Sequence, residues 1–306
     1  MPPRGWAVIG LGRAGLAKAR ALLGPIAQEE GARLISTCSR RGPLSALAPH
    51  LDEGGAVSAR SLDEVLNDPL IEAAAICSEN AHHAAQARAL LSAGRHALVD
   101  FPLCATRAEA EELFQLADAR GVVLHQELIG LLTPQHRALL ALIEETRSLG
   151  DPLGRVLMRQ SGGLYRWVLD EAYAGRLGQL CIGRLHQAWA LAGPLSLEEV
   201  VFEQGGRDLA EGYSLTLSLR GAGGAQVTLV ESRAPALSRE GSLVAQALSG
   251  AILEPRPRVE GRSPPADLFV EDVRAFYAVA RGAPPYVARE VVLAVLGLAE
   301  EVSARV

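Results

Sequence analysis

The chain has 306 residues, 49% of them hydrophobic and 4% aromatic, with a formal net charge of −5. That length exceeds a single mononucleotide-binding half and suits two domains, while the negative balance excludes a general nucleic-acid binder. Arginines greatly outnumber lysines and are scattered, so the local basic sites they form suit small anions.

The first predicted strand, Trp6–Ile9, feeds the turn Gly10-Leu-Gly12-Arg13-Ala14-Gly15, a G-x-G-x-x-G pattern that opens an Ala- and Leu-rich helix near Ala14. This arrangement brings backbone N–H groups and a helix N-terminus up to a pyrophosphate. Gly10 permits the tight turn, Gly12 the approach of the phosphates, and Gly15 the close packing of helix on strand. The second strand, Arg33–Cys38, ends in Ser39-Arg40-Arg41 rather than in a carboxylate. A hydroxyl and two guanidinium groups pair a ribose 2′-phosphate and do not replace the carboxylate that accepts from a 2′,3′-diol, so the expected cofactor is NADP(H).

Further strands are expected at Ala73–Ile76, His96–Val99 and Val122–His125, with helices starting near Ser61, Ala81 and Thr106. Ser61-Leu-Asp-Glu64 and Thr106-Arg-Ala-Glu109 have the form of capping boxes, and Gly94 and Gly121 fall where helices give way to strands. The alternation predicts a doubly wound parallel Rossmann sheet over residues 1–127. After about Gly150 the texture changes. Apolar and polar residues alternate over Gly154–Ser161, Leu197–Glu203, Tyr213–Arg220, Gln226–Ser232 and Ser242–Leu248, with a hairpin at Gly221–Gly224. Residues 128–306 are therefore expected to form an α+β substrate domain on a mainly antiparallel open sheet. An inserted helix covers about Leu180 to Ala192. The Pro-rich stretch Glu254–Pro265 is a surface loop, and helices Leu268–Arg281 and Val287–Arg305 return to pack near the first domain.

Cys38, Cys77, Cys104 and Cys181 show no C-x-x-C spacing and are expected as reduced core or near-core thiols, and the histidines form no metal constellation. The first strand begins within a few residues of the N-terminus and no apolar run reaches membrane-spanning length. Both features predict a cytoplasmic protein with no membrane partner.

These motifs, in this order, resemble the glucose–fructose oxidoreductase and inositol dehydrogenase type of two-domain enzyme and, within it, the biliverdin reductases. The resemblance is carried by Gly10-Leu-Gly-Arg-Ala-Gly15, Ser39-Arg-Arg41, Ile76-Cys-Ser-Glu79 with His82 and His83, Ala93-Gly-Arg-His-Ala-Leu-Val99, Val123-Leu-His-Gln-Glu127, Ile182-Gly-Arg-Leu185, Gly193-Pro-Leu-Ser-Leu197 and Gly297-Leu-Ala-Glu-Glu301. It implies cofactor contacts from Cys77, Ser78, Glu79, His82 and Asp100 and a tetrapyrrole substrate. The wider family has Glu-Lys-Pro after the fourth strand and the biliverdin reductases Glu-Tyr-Pro, whereas this chain has Asp100-Phe101-Pro102. The missing lysine weakens alcohol chemistry, and the missing phenol removes one proton donor.

A bilin is a flat apolar plate with two propionates, and its site needs apolar walls and guanidinium groups. Phe101 is the expected wall; Arg184, Arg233 and Arg239 are the expected partners of the propionates or lactam oxygens. Candidate proton donors or relays are Arg184, Asp100, His125 and Glu127. The expected activity is NADPH-dependent reduction of biliverdin at C10 by a monomer or homodimer. A sugar or cyclic-polyol dehydrogenase and a non-catalytic NADP(H)- or bilin-binding regulator are the alternatives.

Overall fold

The computed structural model describes residues 2–52, 55–164, 169–170, 177–206, 209–254 and 265–306. Its first elements are β1 (Gly5–Ile9), α1 (Arg13–Leu23), α2 (Pro25–Glu30), β2 (Arg33–Cys38), α3 (Leu44–Leu47), β3 (Ser58–Ala59), α4 (Leu62–Asn67), β4 (Ala73–Ile76) and α5 (His83–Ser92). They continue with β5 (His96–Val99), α6 (Arg107–Arg120), β6 (Leu124–Gln126), α7 (Ile129–Leu132), α8 (Pro134–Ser148) and β7 (Leu153–Gly163). Then come α9 (Leu177–Leu180), α10 (Ile182–Ala192), β8 (Leu195–Gln204), β9 (Tyr213–Gly221), β10 (Gln226–Ala234), β11 (Glu240–Ala247), α11 (Pro265–Ala280) and α12 (Arg289–Ala304).

The chain divides into two compact units, Met1–Leu132 with Ser263–Glu290, and Thr133–Arg262 with Val291–Val306. In the first, the sheet order is β3-β2-β1-β4-β5-β6 with every pairing parallel, a doubly wound sheet whose strand order reverses between β1 and β4. Strands β1 and β4 are buried along their whole length, as the continuous apolar runs Trp6–Ile9 and Ala73–Ile76 require of strands covered on both faces. Both capping boxes form, at Ser61 before α4 and Thr106 before α6. The short β3, α2 and α3 carry too few residues for a periodic signal, and β6 starts at Leu124 rather than Val122 because the turn after Gly121 takes two residues.

Helix α11 belongs to this first unit. Phe269, Asp272, Val273 and Phe276 fall on one helical face and are buried, and α11 packs along α1. Trp6 of β1 donates its indole N–H to Tyr277 Oη at 2.8 Å, and Tyr277 donates to the Pro3 carbonyl at 2.7 Å.

In the second unit the sheet order is β11-β7-β10-β9-β8. Three of its four pairings are antiparallel and β10–β7 is parallel, so it is mixed and mostly antiparallel. Tyr213, Leu215, Leu217 and Leu219 of β9 and Val227 and Leu229 of β10 alternate into the core, which is what their period of two dictates. The expected hairpin at Gly221–Gly224 joins β9 to β10. Two differences from the sequence expectation are helical. Helix α8 was not expected at all, and Leu180–Ala192 is interrupted at Cys181 into α9 and α10. Of the Pro-rich stretch Glu254–Pro265, residues 255–264 lie outside the described residues.

Candidate active site

The Gly-rich turn follows β1 at the sheet's carboxyl edge, beside the reversal of strand order. Gly10 has φ +88°, and a Cβ there would lie 2.5 Å from the Cys77 carbonyl oxygen. At Gly15 a Cβ would stand 1.9 Å from the Gly10 carbonyl oxygen, so helix and turn touch backbone to backbone. At Gly12, the N-cap of α1, a Cβ would meet nothing within 4 Å. No side chain caps this helix and its first turn carries no acidic residue, so its N–H groups are left to a ligand. A pyrophosphate fits that cradle, which any side chain at Gly12 would enter; Arg13 is exposed and Ala14 half-buried beside it.

Ser39, Arg40 and Arg41 follow β2. Arg40 Nη2 donates to Glu79 Oε1 at 2.6 Å, and the Arg41 N–H to Ser39 Oγ at 3.1 Å. Partial burial disfavours the Glu79 carboxylate, but backbone and Arg40 hydrogen bonds hold its pKa below the ordinary value. The structure thus joins the ends of β2 and β4, two segments that the sequence presented separately. Ser78 donates to Gln86 at 2.7 Å, and His82 is exposed. His83 is buried, with Nδ1 2.7 Å from the Pro102 carbonyl and Nε2 3.1 Å from that of Ser78, so it ties the loops after β4 and β5 together.

Asp100 and Glu127 extend the sheet ladder by one residue, their N–H groups donating to Ile76 and Val99. Between their carboxyl groups lies a residue that sequence reasoning missed. Lys18 of α1 is fully buried and donates to Asp100 Oδ1; its Nζ is 3.9 Å from both Glu127 Oε2 and Asp272 Oδ2, and 5.1 Å from the centre of the Phe269 ring. The missing lysine of the Asp100-Phe101-Pro102 segment is therefore not a missing ammonium, since one reaches Asp100 from α1. Burial disfavours that ammonium, but Asp100, Cys77, Glu127 and Asp272 more than offset it and hold Lys18 above its usual pKa. Burial pushes the Glu127 carboxyl up to about 8, with Lys18 opposing and Asp100 and Asp272 adding to the rise. Asp272 goes the other way despite burial, because hydrogen bonds from His125 and Tyr286 and the charge of Lys18 favour its carboxylate.

His125 is 4% exposed, its Nε2 3.0 Å from Asp272 Oδ1 and its ring packed edge-on to Phe276 and Tyr286. It lies within β6 and holds Asp272, rather than standing at the strand's outer end. Tyr286 donates to Asp272 Oδ1 at 2.8 Å and accepts from the Leu128 N–H at 2.7 Å. Phe101 is 39% exposed beside Asp100.

The second unit buries a different cluster. Glu231 follows Val227 and Leu229 on the core-facing positions of β10, and its neighbour in register on β7 is Gln160. Arg184, from the first turn of α10, pairs with both Glu231 and Gln160. Arg233, two residues along β10, donates to Glu231 Oε1 at 2.7 Å. It folds over Gly162, where a Cβ would come within 2.6 Å of its guanidinium. Cys181 Sγ lies 3.7 Å from Glu231 Oε2, and burial raises that thiol's pKa. Arg239 is exposed. The structure therefore brings Arg184 and Arg233 together on a carboxylate that sequence reasoning missed.

Comparison with known proteins agrees with the fold. The GFO/IDH/MocA family, an oxidoreductase family with an NAD-binding Rossmann fold, matches residues 4–128. Biliverdin reductase A of Homo sapiens is 30% identical over 302 residues, covering 97% of this chain and 94% of the relative. Among solved structures, that of Synechocystis biliverdin reductase in complex with biliverdin and NADP+ superposes with a TM-score of 0.76 at 21% identity, covering 99% of each chain. A putative myo-inositol dehydrogenase from Sinorhizobium meliloti gives 0.75 at 18% identity, covering 99% of this chain and 97% of the other. The chain belongs to the GFO/IDH/MocA oxidoreductases, enzymes that bind a nicotinamide dinucleotide in their Rossmann unit. Within that family, the relative that is 30% identical along 97% of the chain is a biliverdin reductase.

Proposed function

We propose that this protein is an NADPH-dependent bilin reductase that reduces biliverdin at its C10 methine to bilirubin. The observation that carries the reading is the kinship with biliverdin reductase A along 97% of the chain, so that it spans both units and not the dinucleotide fold alone. A reduced nicotinamide bound at the Gly-rich turn supplies the hydride. Gly10, Gly12 and Gly15 with the N-terminus of α1 hold the pyrophosphate, and Ser39, Arg40 and Arg41 hold the 2′-phosphate. Asp100, the most exposed carboxyl of its cluster, gives a proton to a pyrrole nitrogen as charge develops there. Phe101 is an apolar wall for the tetrapyrrole plane, and Arg184 and Arg233, with Arg239 nearby, hold a propionate.

Polyol dehydrogenases of the same fold give the second reading. It is weaker because the ammonium at Asp100 is fully buried and Phe101 takes the place of the family's lysine. Mixing the protein with biliverdin and NADPH and following absorbance separates the possibilities. Conversion to bilirubin supports the reductase, bilin binding without turnover points to a regulator, and absence of bilin binding moves the polyol reading ahead. Neutralising Arg40 and Arg41 together is expected to weaken NADPH by about 2–4 kcal/mol and leave NADH nearly unchanged. Equal losses for the two cofactors would remove the 2′-phosphate assignment.

A further inference from the structure

Arg40 follows β2 and Glu79 follows β4, and β1 lies between these two strands. Neighbouring strands are about 4.8 Å apart, so the ends of β2 and β4 are separated by about 10 Å. Between them the Gly-rich turn begins: the Gly10 N–H donates to the Cys38 carbonyl at 2.7 Å, and the Cys77 N–H to that of Ile9 at 2.7 Å. To place Nη2 2.6 Å from Glu79 Oε1, the Arg40 side chain crosses that turn. The ribose 2′ position of a dinucleotide is read on the other side, at the end of β2. A carboxylate of this chain and a 2′-phosphate therefore draw one guanidinium in opposite directions.

We propose that Glu79 is a specificity-determining residue for the cofactor: it competes with the 2′-phosphate of NADPH for Arg40, and binding transfers this guanidinium from the carboxylate to the phosphate. The proposal rests on the reading in which Ser39, Arg40 and Arg41 hold the 2′-phosphate. The two partners differ in freedom. The Arg40 side chain is 71% exposed and that of Glu79 34%, and the Glu79 carbonyl accepts from the His82 N–H at 2.9 Å in the turn that leads into α5. The acid is fixed and the arginine moves.

Partial burial disfavours the Glu79 carboxylate, but backbone and Arg40 hydrogen bonds hold its pKa below the ordinary value, so the competitor is ionised at neutral pH. A phosphate monoester carries a charge of about −1.5 to −2 at pH 7, more than one carboxylate, and takes a guanidinium through two parallel hydrogen bonds. The phosphate prevails, but the Arg40–Glu79 bond is lost and the released carboxylate stays near it. NADH has no 2′-phosphate and leaves the pair closed. Glu79 thus holds the preference for NADPH over NADH below what Arg40 and Arg41 alone would give.

Fluorescence titration with NADPH and NADH tests this. Glu79→Gln keeps the shape and removes the charge, so it should tighten NADPH about three- to fivefold, the upper range for an exposed ion pair, and change NADH by less than about twofold. In the Arg40→Ala protein, which should bind NADPH more weakly, the same substitution should change NADPH by less than about twofold, because the contested group is gone. In Arg41→Ala the gain should persist. Affinities for 2′,5′-ADP and 5′-AMP, which occupy the adenosine half alone, should divide as those for NADPH and NADH do. Weaker NADPH binding in Glu79→Gln would make Glu79 a support for Arg40, and equal tightening of both cofactors would make it a source of general repulsion; either overturns the proposal. So does a gain that survives in Arg40→Ala. If Arg40→Ala binds NADPH as the parent does, the 2′-phosphate assignment of Arg40 falls together with the proposal. A loss in Arg40→Ala with no gain in Glu79→Gln overturns the competition alone. None of these measurements needs a bilin.

Discussion

In the first unit one ammonium lies among three carboxyl groups, and in the second one carboxylate lies between two guanidinium groups. Both clusters are buried and neither is neutral when all its members are ionised, but the imbalance is resolved by different means. Excess negative charge beside Lys18 is relieved by a proton, because carboxyls titrate and burial favours their neutral form. Excess positive charge at Glu231 has no such outlet, since guanidinium groups do not deprotonate, so among the described residues that cluster carries one more cation than anion. One cluster is suited to holding a proton and the other to holding an anion.

The largest expected effect removes the only carboxylate described between the guanidiniums. Glu231→Ala leaves Arg184 and Arg233 facing each other in the core and should cost about 3–5 kcal/mol in urea unfolding, the range for breaking a buried ion pair from one side. A loss below about 1 kcal/mol would mean that water already solvates the two arginines, and the contrast between the units would go with it. Next comes the pH dependence of the first cluster. A carboxyl whose pKa is raised in the folded state, here to about 8 from an ordinary value of 4.5, gives stability that is complete below the lower value and lost as pH rises through the upper one. Relative to the Glu127→Gln protein, the parent should therefore lose about 2–4 kcal/mol between pH 5 and 9 in parallel thermal melts. Taking the difference removes contributions from the buried histidines. A flat difference would place the proton on another group.

Arg184→Ala should lower kcat/KM for biliverdin at least about tenfold and leave NADPH affinity unchanged, because Glu231 keeps Arg233 while the external anion loses a partner. Unaltered turnover would reduce the second cluster to packing. The smallest effect is expected where a phenol is restored. If Asp100 supplies the proton, Phe101→Tyr should change the single-turnover rate by less than about tenfold, while Phe101→Ala should slow it more by removing the wall. A tyrosine variant several hundredfold faster would show that Asp100 is not the donor.

Much of the fold was legible because its signals are local. The Gly-rich turn, both capping boxes and the alternation in β9 and β10 are each written within a dozen residues. The clusters were only half legible. Gly15, Lys18, Ala19 and Leu22 recur at helical spacing and are all buried, so the period alone puts Lys18 on the inner face of α1. Asp272 stands among Phe269, Val273 and Phe276 in the same way. What the period does not tell is that these residues, 254 positions apart, meet each other and Asp100. Glu231 likewise sits where alternation demands an apolar residue, and its partner on α10 is set by the β10–β7 register, which no local pattern announces.

The Trp6–Tyr277 hydrogen bond and the packing of α11 on α1 bear on the order in which the molecule is made. During synthesis the whole stretch Thr133–Arg262 leaves the ribosome between the two pieces of the first unit, an interval on the order of ten seconds at ordinary elongation rates. Through that interval Trp6 has no phenol and Lys18 lacks the carboxylate of Asp272. The segment Val291–Val306 then completes the second unit immediately after Ser263–Glu290 completes the first. Both units thus close only once translation has passed α11 and α12, so a stop codon shortly before residue 263 would disable both at once.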